Sequence, residues 1–169
     1  MFNNYNFHQK KLTNDEMDSK YNISYDNQKN KVFQNVDNFL QYLRHLCKEH
    51  CNNLEDLYSI EEFLNSIYND TTSWYCQMCE IQLIGYQDGY IYYHKKSCVD
   101  HYHKWENKKG PIRGLLCNNC NIKEGDVKKK VENNIDYDKL VKIPHFEKVI
   151  YYWKKTGHYN GITMDTRPD

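Results

Sequence analysis

The chain has 169 residues, of which 23 are Lys or Arg and 23 are Asp or Glu, so its formal net charge is zero. This length allows one domain with modest extensions and excludes two large independent cores. No stretch approaches the roughly 18 consecutive apolar residues of a membrane span, and the first residues lack the apolar segment of a signal peptide, so we expect an intracellular protein. Abundant Asn, Lys and Tyr are typical of AT-rich genomes, including those of phages and large DNA viruses.

The zero net charge hides an uneven distribution. Residues 94–155 contain 15 Lys and Arg against 8 Asp and Glu, so this segment carries +7 and the remainder −7. A positive segment of this kind is expected of a surface that binds a polyanion. A solvated Lys-rich face would give the same count, and charge alone does not decide between the two.

The first 73 residues predict a tail followed by helices. Residues 1–30 are polar and aperiodic, which predicts a disordered tail. Apolar residues then recur at helical spacing from 32 to about 50, and again from 54 or Ser59 to 68, where Ser59 and the glutamate three positions later resemble a capping box. We therefore predict a helical N-terminal extension over 31–73.

A cysteine-bearing core is predicted over 74–126. Inside it, two β-rich runs flank Gln87-Asp88-Gly89, a pattern that indicates a hairpin. Beyond it, residues 127–169 form a C-terminal segment with a Lys-rich stretch and an apolar-faced helix from about 144 to 156. Helices and a small amount of sheet together predict an α+β fold.

Two Cys-x-x-Cys pairs give the clearest chemical signal. Four thiolates suit tetrahedral zinc, and the two-residue gap lets both sulfurs of a pair reach one ion. The 37 residues between the pairs exceed the roughly 15–20 of simple zinc fingers, so a folded segment must lie between them. A site closed by four thiolates has no open position, and we expect its zinc to be structural. The predicted ligands are Cys76, Cys79, Cys117 and Cys120.

Oxygen and imidazole side chains beside the second pair are not needed by zinc. Mg²⁺ prefers oxygen ligands, which Asp100 and Asn121 supply and to which Glu124 can add another. His101 would then be available as a general base, since its reference pKa of about 6.5 suits deprotonation of water near neutral pH. His103 shares its strand face with His101. These residues predict a second, catalytic metal site.

The stretch from Cys76 to Glu124 resembles the recombination endonuclease VII family, a branch of the His-Asn-His (ββα-metal) nucleases. The resemblance implies a small zinc-stapled ββα-metal core flanked by N-terminal and C-terminal helices. It further implies that Asp100 and Asn121 bind Mg²⁺, that His101 activates water, and that His103 positions the phosphate while Glu124 supports the metal. The matching runs are Cys76-x-x-Cys79, Asp100-His101-Tyr102-His103, Arg113-Gly114-Leu115-Leu116-Cys117 and Cys120-Asn121, with Glu124.

The sequence departs from the family pattern at two points. The family usually has Asp where Tyr102 stands, but a strand residue at this position points away from His101 and His103, so we expect the chemistry to survive. The segment between Cys79 and Asp100 is also longer than usual, which suits an added hairpin.

The resemblance implies a Mg²⁺-dependent endonuclease that hydrolyses DNA phosphodiester bonds, with four-way junctions as the suggested substrate. Cleavage of a junction usually requires a two-fold dimer, and the helices at 32–50 and 144–156 can form its interface or complete a monomer. A nicking or homing-type nuclease on duplex DNA, and a non-catalytic zinc module that binds nucleic acid, are the alternatives. Basic residues around the motif are predicted to bind the DNA backbone, with Arg113 the most direct; they are Lys95, Lys96, Lys104, Lys108, Lys109 and Arg113.

Two other groups leave alternatives open. His45, Cys47, His50 and Cys51 can form a metal site with help from a partner chain or from His8, or they are ordinary helix residues. Tyr151, Tyr152 and Trp153 can stack on bases, or they pack into the core.

Overall fold

The computed structural model describes residues 11–49, 54–104, 108–133 and 135–156, without the side chains of 54–59, 102–104 and 108–111. Within these ranges it contains both helices and small antiparallel sheets, which confirms the α+β class. A short 3₁₀ helix lies at Thr71–Trp74. The helices are α1 (Asn14–Lys20), α2 (Val36–Lys48), α3 (Leu54–Asn69), α4 (Asn118–Glu132), α5 (Tyr137–Leu140) and α6 (Phe146–Thr156), and the strands are β1 (Ser24–Tyr25), β2 (Lys31–Phe33), β3 (Ile84–Gln87), β4 (Tyr90–Tyr93), β5 (Ser97–Lys104) and β6 (Lys108–Cys117).

The larger sheet has the strand order β1-β2-β4-β3, with antiparallel neighbours throughout. The predicted hairpin is present, since β3 and β4 are joined by two residues with positive φ, Asp88 at 53° and Gly89 at 86°. Two positive φ angles are what a two-residue hairpin turn of type I′ requires, and Asp-Gly adopts them at low cost.

Residues 11–30 differ from the expected disordered tail. The Thr13 side chain accepts a hydrogen bond from the Glu16 backbone N–H and caps α1. Met17 and Tyr21 are buried, and β1 joins the sheet. Two well-placed apolar side chains and one cap therefore hold a segment whose average composition is polar. Residues 1–10 lie outside the described part of the chain.

Helix α2 begins later than the periodicity indicated. The Asn35 side chain accepts from the Asn38 N–H and marks the helix start, while Val32 lies in β2, paired with Tyr92 of β4. A branched residue happened to fall on the helical repeat, although its backbone is extended. Helix α3 starts at Leu54, so Ser59 lies inside it and not at its cap.

The core between α2 and the sheet is aromatic. Phe33 stacks against Phe39 and Tyr42 with ring centroids 5.1 Å apart in each pair, and Phe39 lies 5.4 Å from Tyr93. Because β2 pairs with β4, this core spans the predicted boundary between the extension (31–73) and the core (74–126). The division into segments stays a prediction.

Strands β5 and β6 form a separate two-stranded sheet, and α4 follows β6 directly. This ββα unit is the part of the fold that carries the predicted site. The apolar faces of α2 and α6 are buried within the chain, where Leu43 and Trp153 are 0% exposed. No helix in the described ranges is long and apolar enough to span a membrane.

Candidate active site and metal centre

The first cysteine pair lies in a tight turn that is attached to β6. The Cys76 N–H donates to the carbonyl of Ile81, and the Glu80 N–H donates to the carbonyl of Cys76. The Gln77 N–H donates to the Leu115 carbonyl at 3.1 Å, which ties the turn to the last residues of β6. The second pair begins where β6 ends, because Cys117 is the N-cap of α4 and accepts from the Cys120 N–H. Both pairs are thus fixed to one strand.

The four sulfurs form a compact cluster, hereafter the cysteine cluster (Cys76, Cys79, Cys117, Cys120). All four lie within 4.8 Å of one another, and the Cys79 and Cys117 Sγ atoms are 3.7 Å apart. With Zn–S bonds of 2.3 Å, a tetrahedral site places its sulfurs about 3.8 Å apart. A disulfide would require about 2.05 Å, so the spacing fits a shared ion. The residues therefore fit a structural zinc.

Backbone donors favour the thiolate at Cys76, whereas burial raises the pKa of the Cys79 and Cys120 thiols. Burial alone would raise the pKa of the Cys76 thiol, but N–H groups of Cys79, Cys117 and Met78 lower it below its ordinary value. The Cys117 N–H, for example, donates to the Cys76 Sγ at 3.3 Å. A thiolate is the form that binds a metal.

A β-bulge places Arg113 beside Asp100. Asp100 pairs with Gly114 and His101 pairs with Ile112, so Arg113 is an extra residue on β6. In a regular ladder Arg113 would pair with His101 and its side chain would point to the opposite face from Asp100. The bulge turns it onto the face of Asp100, where the two side chains meet.

Asp100, Arg113 and Glu124 form a buried ion-pair group, hereafter the carboxylate cluster. The Arg113 Nε lies 2.8 Å from Asp100 Oδ2, and its Nη2 lies 2.7 Å from Glu124 Oε1 and 3.2 Å from Asp100 Oδ1. The Arg113 side chain is 0% exposed, and each carboxylate side chain is 5% exposed. One guanidinium on β6 thus links β5 to α4.

Helix α6 donates two further hydrogen bonds to this cluster. The Tyr152 hydroxyl donates to Asp100 Oδ2 at 2.6 Å, and the Trp153 Nε1–H donates to Glu124 Oε1 at 2.9 Å. The sequence predicts that both residues either stack on bases or pack into the core. No local pattern could reveal this contact, since Tyr152 and Asp100 are 52 positions apart.

In the carboxylate cluster, burial and the attraction between Arg113 and the carboxylates shift the pKa values in opposite directions. Burial raises the pKa of Asp100 above its usual range, with Arg113 lowering it and Glu124 raising it. Burial lowers the pKa of Arg113, but the two carboxylates outweigh it, so that the pKa is raised. Two carboxylates face one guanidinium, which leaves a formal surplus of one negative charge in a site that water barely reaches.

The donor set fits a hard cation. Oδ2 of Asp100 accepts from Tyr152 and lies in ion-pair contact with the Arg113 Nε, whereas Oδ1 accepts one longer hydrogen bond, from the Arg113 Nη2, and retains a lone pair. A buried negative surplus is costly unless a cation or proton compensates it, and carboxylate oxygen is a ligand that Mg²⁺ prefers. The family-implied Mg²⁺ is therefore compatible with Asp100 bound through Oδ1.

The structure brings some predicted site residues together and leaves others undescribed. His101 follows Asp100 in β5 and is half-buried, and Asn121 lies in the first turn of α4, also half-buried. The side chains of His103, Lys104, Lys108 and Lys109 lie outside the described ones. Within the described part of the chain, the cysteine cluster is the one group of three or more Cys, His, Asp or Glu donors close enough to hold a metal.

The predicted DNA-binding residues differ in their exposure to solvent. Arg113 is committed to Asp100 and Glu124 inside the protein, so its role as a phosphate contact stays a prediction that would require this network to open. Lys95 and Lys96 are exposed in the turn before β5. Lys128 and Lys130 form ion pairs with Glu132 and Asp126 along α4, as expected of a solvated helix face.

The second metal site considered around Cys47 gains no support. Cys47 is 0% exposed, and burial raises the pKa of its thiol to about 12. The neighbouring His45 Nδ1 lies 2.8 Å from the Tyr21 hydroxyl, in the α2 core. His50 and Cys51 lie outside the described residues.

A comparison with protein-family models supplies the identity of this arrangement. The model of the recombination endonuclease VII family matches residues 51–140, more than half of the chain. The searches of curated proteins and of solved structures gave no match. The match contains the cysteine cluster and the ββα unit with Asp100, His101 and Asn121. The chain belongs to the recombination endonuclease VII family, a family of nucleases that act on DNA.

Proposed function

We propose that the protein is a Mg²⁺-dependent endonuclease that hydrolyses phosphodiester bonds in branched DNA such as four-way junctions. The observation that carries the proposal is the carboxylate cluster: a buried surplus of negative charge, next in sequence to a half-buried histidine, within a family-matched ββα unit. A purely structural zinc module has no need for this charge. Family membership supports the junction as substrate.

The proposed roles follow from the donor atoms. Asp100 through Oδ1 and Asn121 through its side-chain carbonyl would hold Mg²⁺, with Glu124 supporting the site from α4. Bound Mg²⁺ would stabilise the negative charge that develops on the phosphate oxygens. His101 accepts a proton from the attacking water, and His103 positions the phosphate. The products are a 5′-phosphate and a 3′-hydroxyl.

Exposed lysines supply the proposed electrostatic contact with DNA. Lys95 and Lys96 precede β5 and lie at the start of the strand that carries Asp100. Contacts to phosphate hold the backbone without reading sequence, and they weaken as salt rises. We assign the same role to Lys104, Lys108 and Lys109, because they lie where β5 ends and β6 begins.

Replacement of the proposed base tests the mechanism. We expect His101→Ala to lower the cleavage rate by about 10²–10⁴-fold, the usual contribution of general acid–base catalysis. His94→Ala is the matched control, because His94 is a half-buried histidine in the turn before β5 and outside the proposed site. Undiminished Mg²⁺-dependent cleavage by His101→Ala would refute the assigned role.

A substrate panel tests the class of DNA. Junction, flap, duplex and single-stranded DNA of the same length are compared, with the mass of the protein in solution measured alongside. We expect paired cuts in the junction by a dimer. Nicking of duplex alone would favour the homing-type alternative, and binding without cleavage would favour the non-catalytic zinc module.

A further inference from the structure

Helix α6 touches both acidic residues of the carboxylate cluster, although it lies outside the family-matched residues 51–140. Its two consecutive buried side chains reach different carboxylates, Tyr152 on Asp100 and Trp153 on Glu124. Both are 0% exposed, so neither hydrogen bond is shared with bulk water. The helix therefore supplies donors that the matched segment does not contain.

The hydroxyl of Tyr152 lies close to the glycine that is opposite Asp100. Gly114 pairs with Asp100 across the β5–β6 ladder, and paired residues place their side chains on the same face. A Cβ at Gly114 would lie 3.6 Å from the Tyr152 Oη and 3.4 Å from the Gln77 Cγ. A larger side chain at position 114 would occupy the space of the tyrosine hydroxyl. The close packing of α6 on β5 therefore requires a small residue at position 114.

Tyr152 and Arg113 together set the orientation of the Asp100 carboxylate. Tyr152 and the Arg113 Nε both contact Oδ2, at 2.6 and 2.8 Å, whereas Oδ1 has one contact at 3.2 Å. Oδ1 is consequently the oxygen left for a cation. Without the tyrosine hydroxyl, Arg113 is the remaining described contact of the carboxylate, so its intrinsically soft terminal torsion is less restrained.

We infer that α6 is part of the nuclease site, with Tyr152 as a positioning residue that holds Asp100 so that Oδ1 faces the catalytic cation, and Trp153 as its counterpart on Glu124. This inference rests on the proposed function, since it assigns Asp100 to the cation. Tyr152 touches neither substrate nor metal and acts through Asp100. Groups that orient a metal ligand typically contribute 10–100-fold to metal affinity or activity.

The test compares Tyr152→Phe with Tyr151→Phe in the full chain. Tyr151 is adjacent on the same helix but 65% exposed, so the control removes one hydroxyl outside the cluster. Binding of Mn²⁺ is followed by electron paramagnetic resonance of the free ion. Zinc content, thermal unfolding, kcat and the KM for junction DNA are measured on the same preparations.

For Tyr152→Phe we expect Mn²⁺ affinity and kcat to fall about 10–100-fold, the effect typical of a ligand-orienting group. The KM for DNA and the zinc content should stay at the wild-type level. Tyr151→Phe should match the wild type in every measurement.

Wild-type Mn²⁺ affinity and kcat in Tyr152→Phe, beside an active wild type, would overturn the inference alone. A wild-type protein that neither binds Mn²⁺ nor cleaves would overturn the proposed function, and the inference with it. Should Tyr152→Phe be unfolded at the assay temperature, the same measurements on Trp153→Phe decide. Their control is Trp74→Phe, which removes an indole donor to the Ile67 carbonyl away from the site.

Discussion

The cysteine cluster and the carboxylate cluster both take residues from β6 and α4, but they neutralise their charge in different ways. Four cysteine sulfurs converge in the first cluster, where a bound metal ion would compensate the charge of their thiolates. Asp100 and Glu124 instead share Arg113, a cation that belongs to the chain. We therefore expect the cysteine cluster to depend on its metal for folding, whereas the chain itself compensates one of the two negative charges of the carboxylate cluster.

The largest expected effect comes from removing the zinc. Cys117→Ser leaves three thiolates, and we expect loss of zinc and of the cooperative thermal transition, since structural zinc binds with about 10–16 kcal/mol. Zinc content and circular dichroism are the measurements. Cys98→Ser is the matched control, because Cys98 is half-buried and outside the cluster. Retained zinc in Cys117→Ser would show that this sulfur is not a ligand.

Removal of the internal cation should also destabilise the protein strongly. Arg113→Met leaves two buried carboxylates without a partner, and we expect the free energy of unfolding to fall by about 3–5 kcal/mol. Arg44→Met is the control: Arg44 makes a forked pair with Glu61 at the surface, which is worth about 1 kcal/mol or less. Urea unfolding measures both. Equal losses would mean that Arg113 is not the charge that holds this cluster together.

An intermediate effect is expected at the glycine between the two clusters. In Gly114→Ala the new methyl group meets its neighbours at ordinary contact distance, so the free energy of unfolding should change by about 1 kcal/mol or less. Gly114→Val adds two methyl groups against the Tyr152 hydroxyl and should cost about 1–3 kcal/mol through overpacking. The difference between the two variants in urea unfolding measures how tightly α6 closes on β5. Identical values would contradict close packing there.

The smallest effect is expected at a buried polar group remote from both clusters. Burial lowers the pKa of His45, with Lys20 adding to the shift and Glu49 opposing it. The unfolded chain therefore binds the proton more tightly, and the free energy of unfolding should fall as pH drops below about 6.5. His45→Gln should flatten this dependence between pH 7.5 and 5.5, measured by thermal unfolding. An unchanged slope would show that His45 does not contribute.

The sequence predicts those parts of the site in which chemistry and spacing are local. The cysteine pairs combine a short fixed gap with a strong ligand preference, and Asp88-Gly89 is a turn whose φ angles few other residues adopt. Asp100, His101 and Asn121 were identifiable through the resemblance, although their roles await experiment. The cysteine pairs and the turn each lie within a few consecutive residues.

The other parts depend on distant or irregular geometry. The bulge at Arg113 leaves no mark in the sequence, so a surface arginine was the natural expectation for a basic segment. Tyr152 finds Asp100 only after α6 packs, because nothing near either residue indicates the other. Val32 followed the helical repeat by coincidence, and the Asn35 cap decided where the helix starts.

Because Tyr152 lies near the end of the described chain, it is added during synthesis after the four cysteines of the cysteine cluster. Cys120 completes the cysteine cluster, and Tyr152 follows 32 positions later. At roughly 5–20 residues per second, a ribosome needs about 2–6 s to add that segment. During this interval the nascent chain has every predicted zinc ligand but lacks the hydroxyl proposed to orient Asp100. The cysteine cluster can therefore close around its ion before the cutting site is complete.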